Sequence, residues 1–381
     1  MALTLRLTGA HVLHETGLHH ADLSIEGGLI VEQTTAREVD LTGFMVLPGI
    51  VDTHGDGFEK HLAPRRGAMK DIDQGLIAAE AEIASNGITT ATLAQFYSWE
   101  GGMRGPDFAE KVFAGRAEIA DRIGTDLRVQ LRFEIGLLDH YNAVLSQIDR
   151  HDIHYVVFND HLPHDEIASG KRPNRLTGQA LRVGKNPDRH WADLQAMHAA
   201  MADVPAALDR LCAALSDRGL ALGSHDDGTP EARAIWRARG VSIAEFPETR
   251  IAAEAAHAAS EPVILGAPNV VRGGSHQGNA SAIELIAMGL CDALASDYHY
   301  PSLKRAAFLL SDGGLCSLAE AWALISARPA RILGLEDRGT LAPGQRADLV
   351  ILEAETRDIC ATLAGGRVTY MKGEVAQRLI A

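Results

Sequence analysis

The chain reads as an α/β protein, an eight-stranded (β/α)8 barrel carrying a small β domain drawn from both chain ends. Three observations predict this. Eight short apolar runs mark the middle of the chain, helical patterns of ten residues or more separate them, and turn-bounded strands occupy roughly the first and last 45 residues.

In chain order, "LTLRLTGAHVL", "ADLSIEGGLIVE" and "REVDLTGFMVL" alternate short apolar runs with turn signals and read as strands of a small sheet. The barrel runs follow: VLPGIVDTH, ITTATLAQ, LRVQLRFEI, HYVVFND, LALGSH, VSIAEF, PVILGA and CDALASD. Strands of a parallel sheet are buried on both faces, so they read as unbroken apolar runs rather than alternating ones. Helices are expected between them, over Asp71 to Asn86 and Trp191 to Arg218 among others. The interval between Asp160 and Leu220 is long enough to hold a further strand or an inserted loop. At the far end "GQRADLVILEA" and "GGRVTYMKGEV" again give strand, glycine turn, strand. The expected division is residues 1–48 with 338–381 for the β domain and 49–337 for the barrel.

Of 381 residues, 46% are apolar and 23% charged, which is ordinary globular usage and supports a sizeable core. A formal net charge of −14, from 50 acidic and 36 basic residues, argues against nucleic acid or an anionic membrane as partner. A polyanionic substrate would need a locally basic pocket. The opening MALTLRLTGA lacks the apolar stretch of a signal peptide and no later stretch approaches a span of roughly 20 residues, so a cytoplasmic location is expected. Cys212, Cys291, Cys316 and Cys360 show no paired spacing and read as buried thiols rather than a disulfide framework or zinc ribbon.

Ionisable residues fall at the C-terminal ends of the barrel runs, where barrel enzymes assemble their sites. They are His54 and Asp56 after the first run, Glu134 in "RFEI", His161 in "NDH", His225 in "SHDD" and Asp297 in "SDY". Imidazoles and carboxylates converging on one rim suit one or two divalent ions, zinc foremost, with manganese or magnesium as alternatives. Asp226 and Asp227 fit equally as ligands or as caps of the helix that follows, and Asp297 fits a cap as well. A second constellation, "APNVVRGGSHQGN" at 267–279, sets Arg272 beside Gly273, Gly274, Ser275, His276 and Asn279. Such a loop can offer backbone amides and a forked cation to phosphate oxygens, or its glycines can merely permit turns. Lys60, Arg65, Arg66 and Arg132 are candidates for the remainder of a positive lining, and Glu59 and His61 for supporting the ligands and Lys60.

"VLPGIVDTHGD", followed far downstream by "GTLAPGQRADLVIL", resembles the amidohydrolase superfamily. "LPGIVDTHGDGFEKHLAPR", "NDHLP", "SHDDGTPE", "AEFPET", "GAPNVVRGGSHQGNASA" and "SDYHYPSL" are similar, within it, to the diphosphohydrolases of the carbon-phosphorus lyase pathway, which split α-D-ribose 1-methylphosphonate 5-triphosphate into the 5-phosphate and pyrophosphate. The resemblance implies a β-sandwich built from both chain ends, a metal-dependent hydrolase, a ribose triphosphate substrate and a homodimer. It implies that His54 and Asp56 replace the superfamily's usual His-x-His pair, that Glu134 bridges metals, and that His161 and His225 ligate the second metal. Asp297 then binds the first metal and shuttles a proton, with His276 protonating the departing pyrophosphate or only hydrogen-bonding to it. Lys60, Arg272, Gly273 and Gly274 are expected to cradle phosphates. Two other readings stay open: a cyclic amide hydrolase or deaminase on the same barrel, and a non-catalytic metal-binding subunit.

Overall fold

The computed structural model describes residues 2–63, 71–273 and 280–381. Eight strands form one sheet in sequential order, every neighbouring pair parallel: β1 Ile50–Gly55, β2 Ile88–Tyr97, β3 Asp126–Glu134, β4 Tyr155–Asn159, β5 Ala221–His225, β6 Ile243–Glu245, β7 Val263–Gly266 and β8 Ala293–Ala295. The eight predicted runs are these eight strands. The sheet closes at its C-terminal rim, where Asp297 N donates to His54 O and Asp56 N donates to Asp297 O, each at 2.9 Å. Beneath that seam Asp52, fully buried, accepts from Ser296 N at 3.0 Å and from Ser296 Oγ at 2.5 Å. A carboxylate so placed gives the Ser296 N–H the acceptor it would otherwise need from the backbone of β1.

The first apolar run proves to be two strands. Phe44–Pro48 belongs to the end domain, β1 begins at Ile50, and Gly49 is the joint between them. A Cβ at Gly49 would lie 2.3 Å from Thr89 Oγ1, so only glycine lets the chain pass from one sheet to the other there. Because the run stays apolar on both sides of the joint, hydropathy alone does not reveal the break.

The end domain has two sheets. Leu29–Val31, Leu23–Glu26, Leu5–Thr8 and Glu38–Asp40 form one of four strands. The other has six, and both chain ends meet in it through the antiparallel pairing of Phe44–Pro48 with Leu349–Glu353. Leu7, Ile25, Val46, Ile351 and Leu363, from both sheets, lie in one apolar cluster, the arrangement of a sandwich. Val375 and Leu379 join it from a C-terminal helix, Gly373–Ile380, that the strand pattern had not announced.

Between β1 and β2 the expected helix runs over Ile72–Ser85, capped by Asp71, whose side chain accepts from Gln74 N. The long interval after Asp160 holds no further strand. It is helical: His164–Ala168, Leu176–Arg182, Pro187–Ala200 and Val204–Ser216. The single helix expected over Trp191 to Arg218 is broken at Met201–Asp203 by a tight 3-10 turn, beyond which Pro205 sits in the first turn of the next helix, where its missing N–H costs nothing. Among the described residues no helix is long and apolar enough to cross a membrane. Of the cysteines, Cys212 and Cys291 are buried, whereas Cys316 and Cys360 are only partly so.

Candidate active site

Parallel strands all end on one side, so each delivers its last inward side chain to the same rim. His54, near the end of β1, is fully buried, and its Nδ1 lies 2.9 Å from Oε2 of Glu245, the last residue of β6. Gln130 Nε2 at 2.7 Å and the Tyr155 hydroxyl at 3.2 Å donate to Glu245 Oε1. Those donors hold the carboxylate, and the carboxylate in turn holds the ring with Nδ1 as donor and Nε2 free. Nε2 is buried without a hydrogen-bond partner among the described residues. Burial opposes a charged ring, but Glu245 outweighs it and raises the His54 pKa. The site therefore favours positive charge on this imidazole, which a divalent ion can supply in place of a proton.

The donors needed for such an ion are close by. His54, Asp56 and Asp297 each bring one donor atom within 4.8 Å of the others, and so do His54, His225 and Glu245. One imidazole with two carboxylates suits zinc, manganese or magnesium, so the residues present fit the expected divalent ion. Asp297 has φ +55, as its place at the closing seam requires. Burial pushes its carboxyl up to about 6 against the pull of His54, with Asp56 pushing further the same way. Asp226 and Phe246, just beyond β5 and β6, also have left-handed backbone at φ +61 and +53. Left-handed backbone is uncommon for such residues, above all for an aromatic one, and strain of this kind concentrates at functional rims. Gly55 is glycine for a local reason: a Cβ there would sit 2.8 Å from both Asp52 Oδ2 and Tyr300 Cε1.

His225 ends β5 with its ring centroid 5.6 Å from that of His54 and 6.4 Å from that of His161. Arg132 Nη2 donates to His225 Nε2 at 3.1 Å, and His225 Nδ1 lies 2.8 Å from Asp226 Oδ2. Burial and then Arg132 lower the His225 pKa, which keeps its ring neutral, the form that ligates. Glu134 and His161 are brought together differently from the expected bridge. Glu134 is fully buried and spends both oxygens on His161, Oε1 on the ring Nδ1 and Oε2 on the backbone N at 3.1 Å. Neither residue belongs to the two donor groups above. Burial opposes charge on the His161 ring, but Glu134 prevails and raises its pKa.

A cavity of about 360 Å³ opens over these residues, lined by Asp56, His161, His225, Asp226 and Asp297 together with Arg104 and Arg132. Both guanidinium groups lie over the Phe96 ring, Arg132 at 3.8 Å and Arg104 at 4.2 Å from its centroid. Lys60 does not reach this lining. It is exposed and pairs with Glu82 at 2.6 Å, as does His61 Nε2 at 2.6 Å, so these two side chains clamp a short helix, Glu59–Leu62, onto Ile72–Ser85 instead of supporting ligands. Glu59 faces inward, and burial, with Asp56 adding repulsion, pushes its carboxyl up to about 7.

The glycine-rich segment starts as a helix, Ala267–Arg272, with Gly273 closing it at φ +76, which corrects the expected loop up to that point. Arg272 is exposed at the rim and bonds to the hydroxyl of Tyr298, a residue of the cavity wall. Gly274, Ser275, His276 and Asn279, like Arg65 and Arg66, lie outside the described residues. Neither aspartate after His225 caps the next helix. That cap is Thr229, accepting from Ala232 N. Asp227 is bonded to Ser224 Oγ at 2.6 Å and to the fully buried Arg233 at 2.9 Å, so it is a structural acid, whereas Asp226 lines the cavity. Asp297 caps no helix either, since Ser302–Asp312 begins at Pro301.

Glu245, Arg104 and Asp52 are site residues that motif reasoning missed. For Glu245 the signal was its place at the end of the sixth run. Arg104 comes from a loop with no sequence mark, and Asp52 was hidden inside an apolar run.

An eight-stranded parallel barrel with imidazoles and carboxylates gathered at its C-terminal rim is the arrangement of a barrel hydrolase able to hold divalent cations. The chain belongs to the amidohydrolase family, whose profile matches residues 78–377. It is 32% identical to the α-D-ribose 1-methylphosphonate 5-triphosphate diphosphatase of Escherichia coli K12 over 330 residues, 84% of this chain and 86% of that one. A shorter stretch of 94 residues, 24% of this chain, is 32% identical to the allantoinase of Enterococcus faecalis and covers 20% of it. Among solved structures, a variant of the Arthrobacter aurescens atrazine chlorohydrolase complexed with zinc and atraton shares the fold. It aligns at a TM-score of 0.64 and 14% identity, with 99% of this chain and 98% of that one covered.

Proposed function

We propose that this protein hydrolyses α-D-ribose 1-methylphosphonate 5-triphosphate or a close analogue to the 5-phosphate and pyrophosphate in phosphonate breakdown, with one or two divalent ions, zinc foremost. The observation that carries this reading is the pairing of donors with cations in one cavity: Asp56, Asp297 and His225 face Arg104 and Arg132. Similarity to the Escherichia coli diphosphatase over most of both chains points the same way.

His54, Asp56, Asp297 and His225 would hold the ions, with His161 at the edge of the group. A bound divalent ion acidifies water and offsets phosphate charge. Asp297, at the cavity wall beside the other donors, accepts the proton of the attacking water. The water oxygen bonds to the α-phosphorus as the bond from that phosphorus to the bridging oxygen breaks, and pyrophosphate leaves with that oxygen. Arg132 and Arg104, aligned by Phe96, neutralise the charge that builds on the phosphates, where positioning and electrostatics do most of the work in phosphoryl transfer. Arg272 at the rim is suited to the outer phosphates.

The test is pyrophosphate release by metal-loaded protein across ribose and nucleoside 5-triphosphates. No pyrophosphate from any ribose 5-triphosphate would refute the assignment. The local likeness to allantoinase favours a second reading, hydrolysis of a cyclic amide, which would show itself as a ring-opened product without pyrophosphate.

A further inference from the structure

Four of the chain's 17 histidines stand within ten residues, "HVLHETGLHH" at 11–20, and the catalytic rim uses none of them. The segment is an antiparallel hairpin of the end domain, strands His11–His14 and Gly17–His20, and its register sets His11 directly opposite His20. Direct opposition puts two side chains on one face with Cβ atoms about 5 Å apart. The rings follow: their centroids are 5.8 Å apart and their planes meet at 88°. At the catalytic rim His54 and His225 have a similar spacing, 5.6 Å. Both hairpin residues are exposed, and among the described residues neither joins an ion pair, so no carboxylate competes for their nitrogens. A second pair, His14 and His19, also has centroids 5.8 Å apart, but His19 Nε2 is already engaged by Thr16 Oγ1 at 2.7 Å.

We propose that His11 and His20 form a further metal site, which takes copper(II), nickel(II) or zinc(II) on two imidazoles with water completing the shell. The donors identify the ligand. Neutral imidazole suits these ions, whereas magnesium and calcium take oxygen. Two rings bound to one ion at about 2.0–2.1 Å have centroids roughly 5 Å apart, so a small rotation of exposed side chains brings this pair into place. The scaffold beneath is fixed. Val12 and Leu13 are buried in apolar clusters on either side of the sheet, and His11 also pairs with Met45 in the neighbouring strand. Ligands set by strand register lose little freedom when the ion binds. The site is separate from the rim, because the hairpin pairs with Phe44–Pro48, which leads into the start of β1, whereas His54 lies near the far end of that strand. It stands or falls independently of the substrate reading.

The experiment adds copper(II) to the whole protein after its rim has been loaded with zinc, and follows the copper by electron paramagnetic resonance and calorimetry. A single copper ion is expected to bind with hyperfine structure from two nitrogens, nickel should bind more weakly, and magnesium should not bind. His11→Ala and His20→Ala, both at exposed positions, each remove one arm of the chelate and should weaken copper binding at least about 10-fold, with the zinc content of the rim unchanged. His14→Ala should leave the copper signal intact. A full copper signal in both the His11 and His20 variants would overturn the proposal, as would a signal lost in His14→Ala and kept in His11→Ala, or an unaltered protein that binds no copper beyond what displaces its zinc.

Discussion

Glu245 Oε2 lies 2.9 Å from His54 Nδ1, both side chains are wholly buried, and the other nitrogen of the ring has no partner among the described residues. The acid at the end of β6 thus orients the imidazole at the end of β1 across the barrel. Outer partners of this sort commonly contribute about 10- to 100-fold to metal affinity.

Glu245→Gln keeps an acceptor and the side-chain shape but removes the charge that favours a cation on His54. Metal affinity is expected to fall about 10- to 100-fold, measured by competition with a chromophoric chelator. Equal affinity in the variant would show that Glu245 serves the barrel interior alone, through Gln130 and Tyr155.

Arg132 and Lys60 separate under substitution. Arg132→Met removes a buried cation from the cavity, the guanidinium that lies over Phe96, while keeping an unbranched apolar side chain in its place, and kcat/KM for a triphosphate substrate should drop by about 100-fold or more. Lys60→Ala should change kcat/KM by less than about threefold, since its ammonium is exposed and paired with Glu82. Steady-state kinetics on the two variants decides it, and a larger loss from Lys60→Ala would reverse the assignment of the phosphate-facing cation.

The contrast between those residues shows where the sequence was legible. Eight strands could be read because a sheet buried on both faces leaves runs such as ITTATLAQ unbroken by charged residues. The ligand candidates could be read because a strand's end is visible as the point where such a run stops, and His54, His225 and Asp297 each stand there. Lys60 follows six residues after His54, but a helical turn carries it outward to Glu82, and proximity along the chain says nothing of that. Arg104 enters from a short turn after β2, and its guanidinium is brought to the cavity by stacking on Phe96 and by an ion pair with Glu100 at 3.0 Å, neither of which the sequence marks. Glu245 closes a strand of three residues, too short to announce its own end.

Asp227 and Asp226 are neighbours with different duties. Asp227→Ala leaves Arg233, fully buried, with one of its two carboxylate partners gone, and should cost about 3–5 kcal/mol in denaturant unfolding while leaving metal content unchanged. Asp226→Ala, at the cavity wall beside His225, should cost less than about 1.5 kcal/mol and lower turnover instead. Loss of metal in the Asp227 variant without loss of stability would make Asp227 a ligand after all.

Glu59 supplies a pH dependence whose sign can be worked out. Burial raises its carboxyl from 4.5 to about 7, with Asp56 adding repulsion, so the folded metal-free protein holds this proton more tightly than the unfolded chain does. Stability from this group is fully present below about 4.5 and is lost as pH rises through about 7, a cost approaching ~3 kcal/mol at pH 8. Glu59→Gln keeps the shape and removes the titration. The variant should therefore be the more stable protein at pH 8, and its advantage over the unaltered chain should grow by about 2 kcal/mol between about pH 5.5 and pH 8. Urea unfolding of both metal-free proteins across that range measures the gap directly. A constant gap would mean that Glu59 is solvated, and a gap that narrows with rising pH would mean that its ionised form is held by a cation, with Arg104 and Arg132 the nearest candidates.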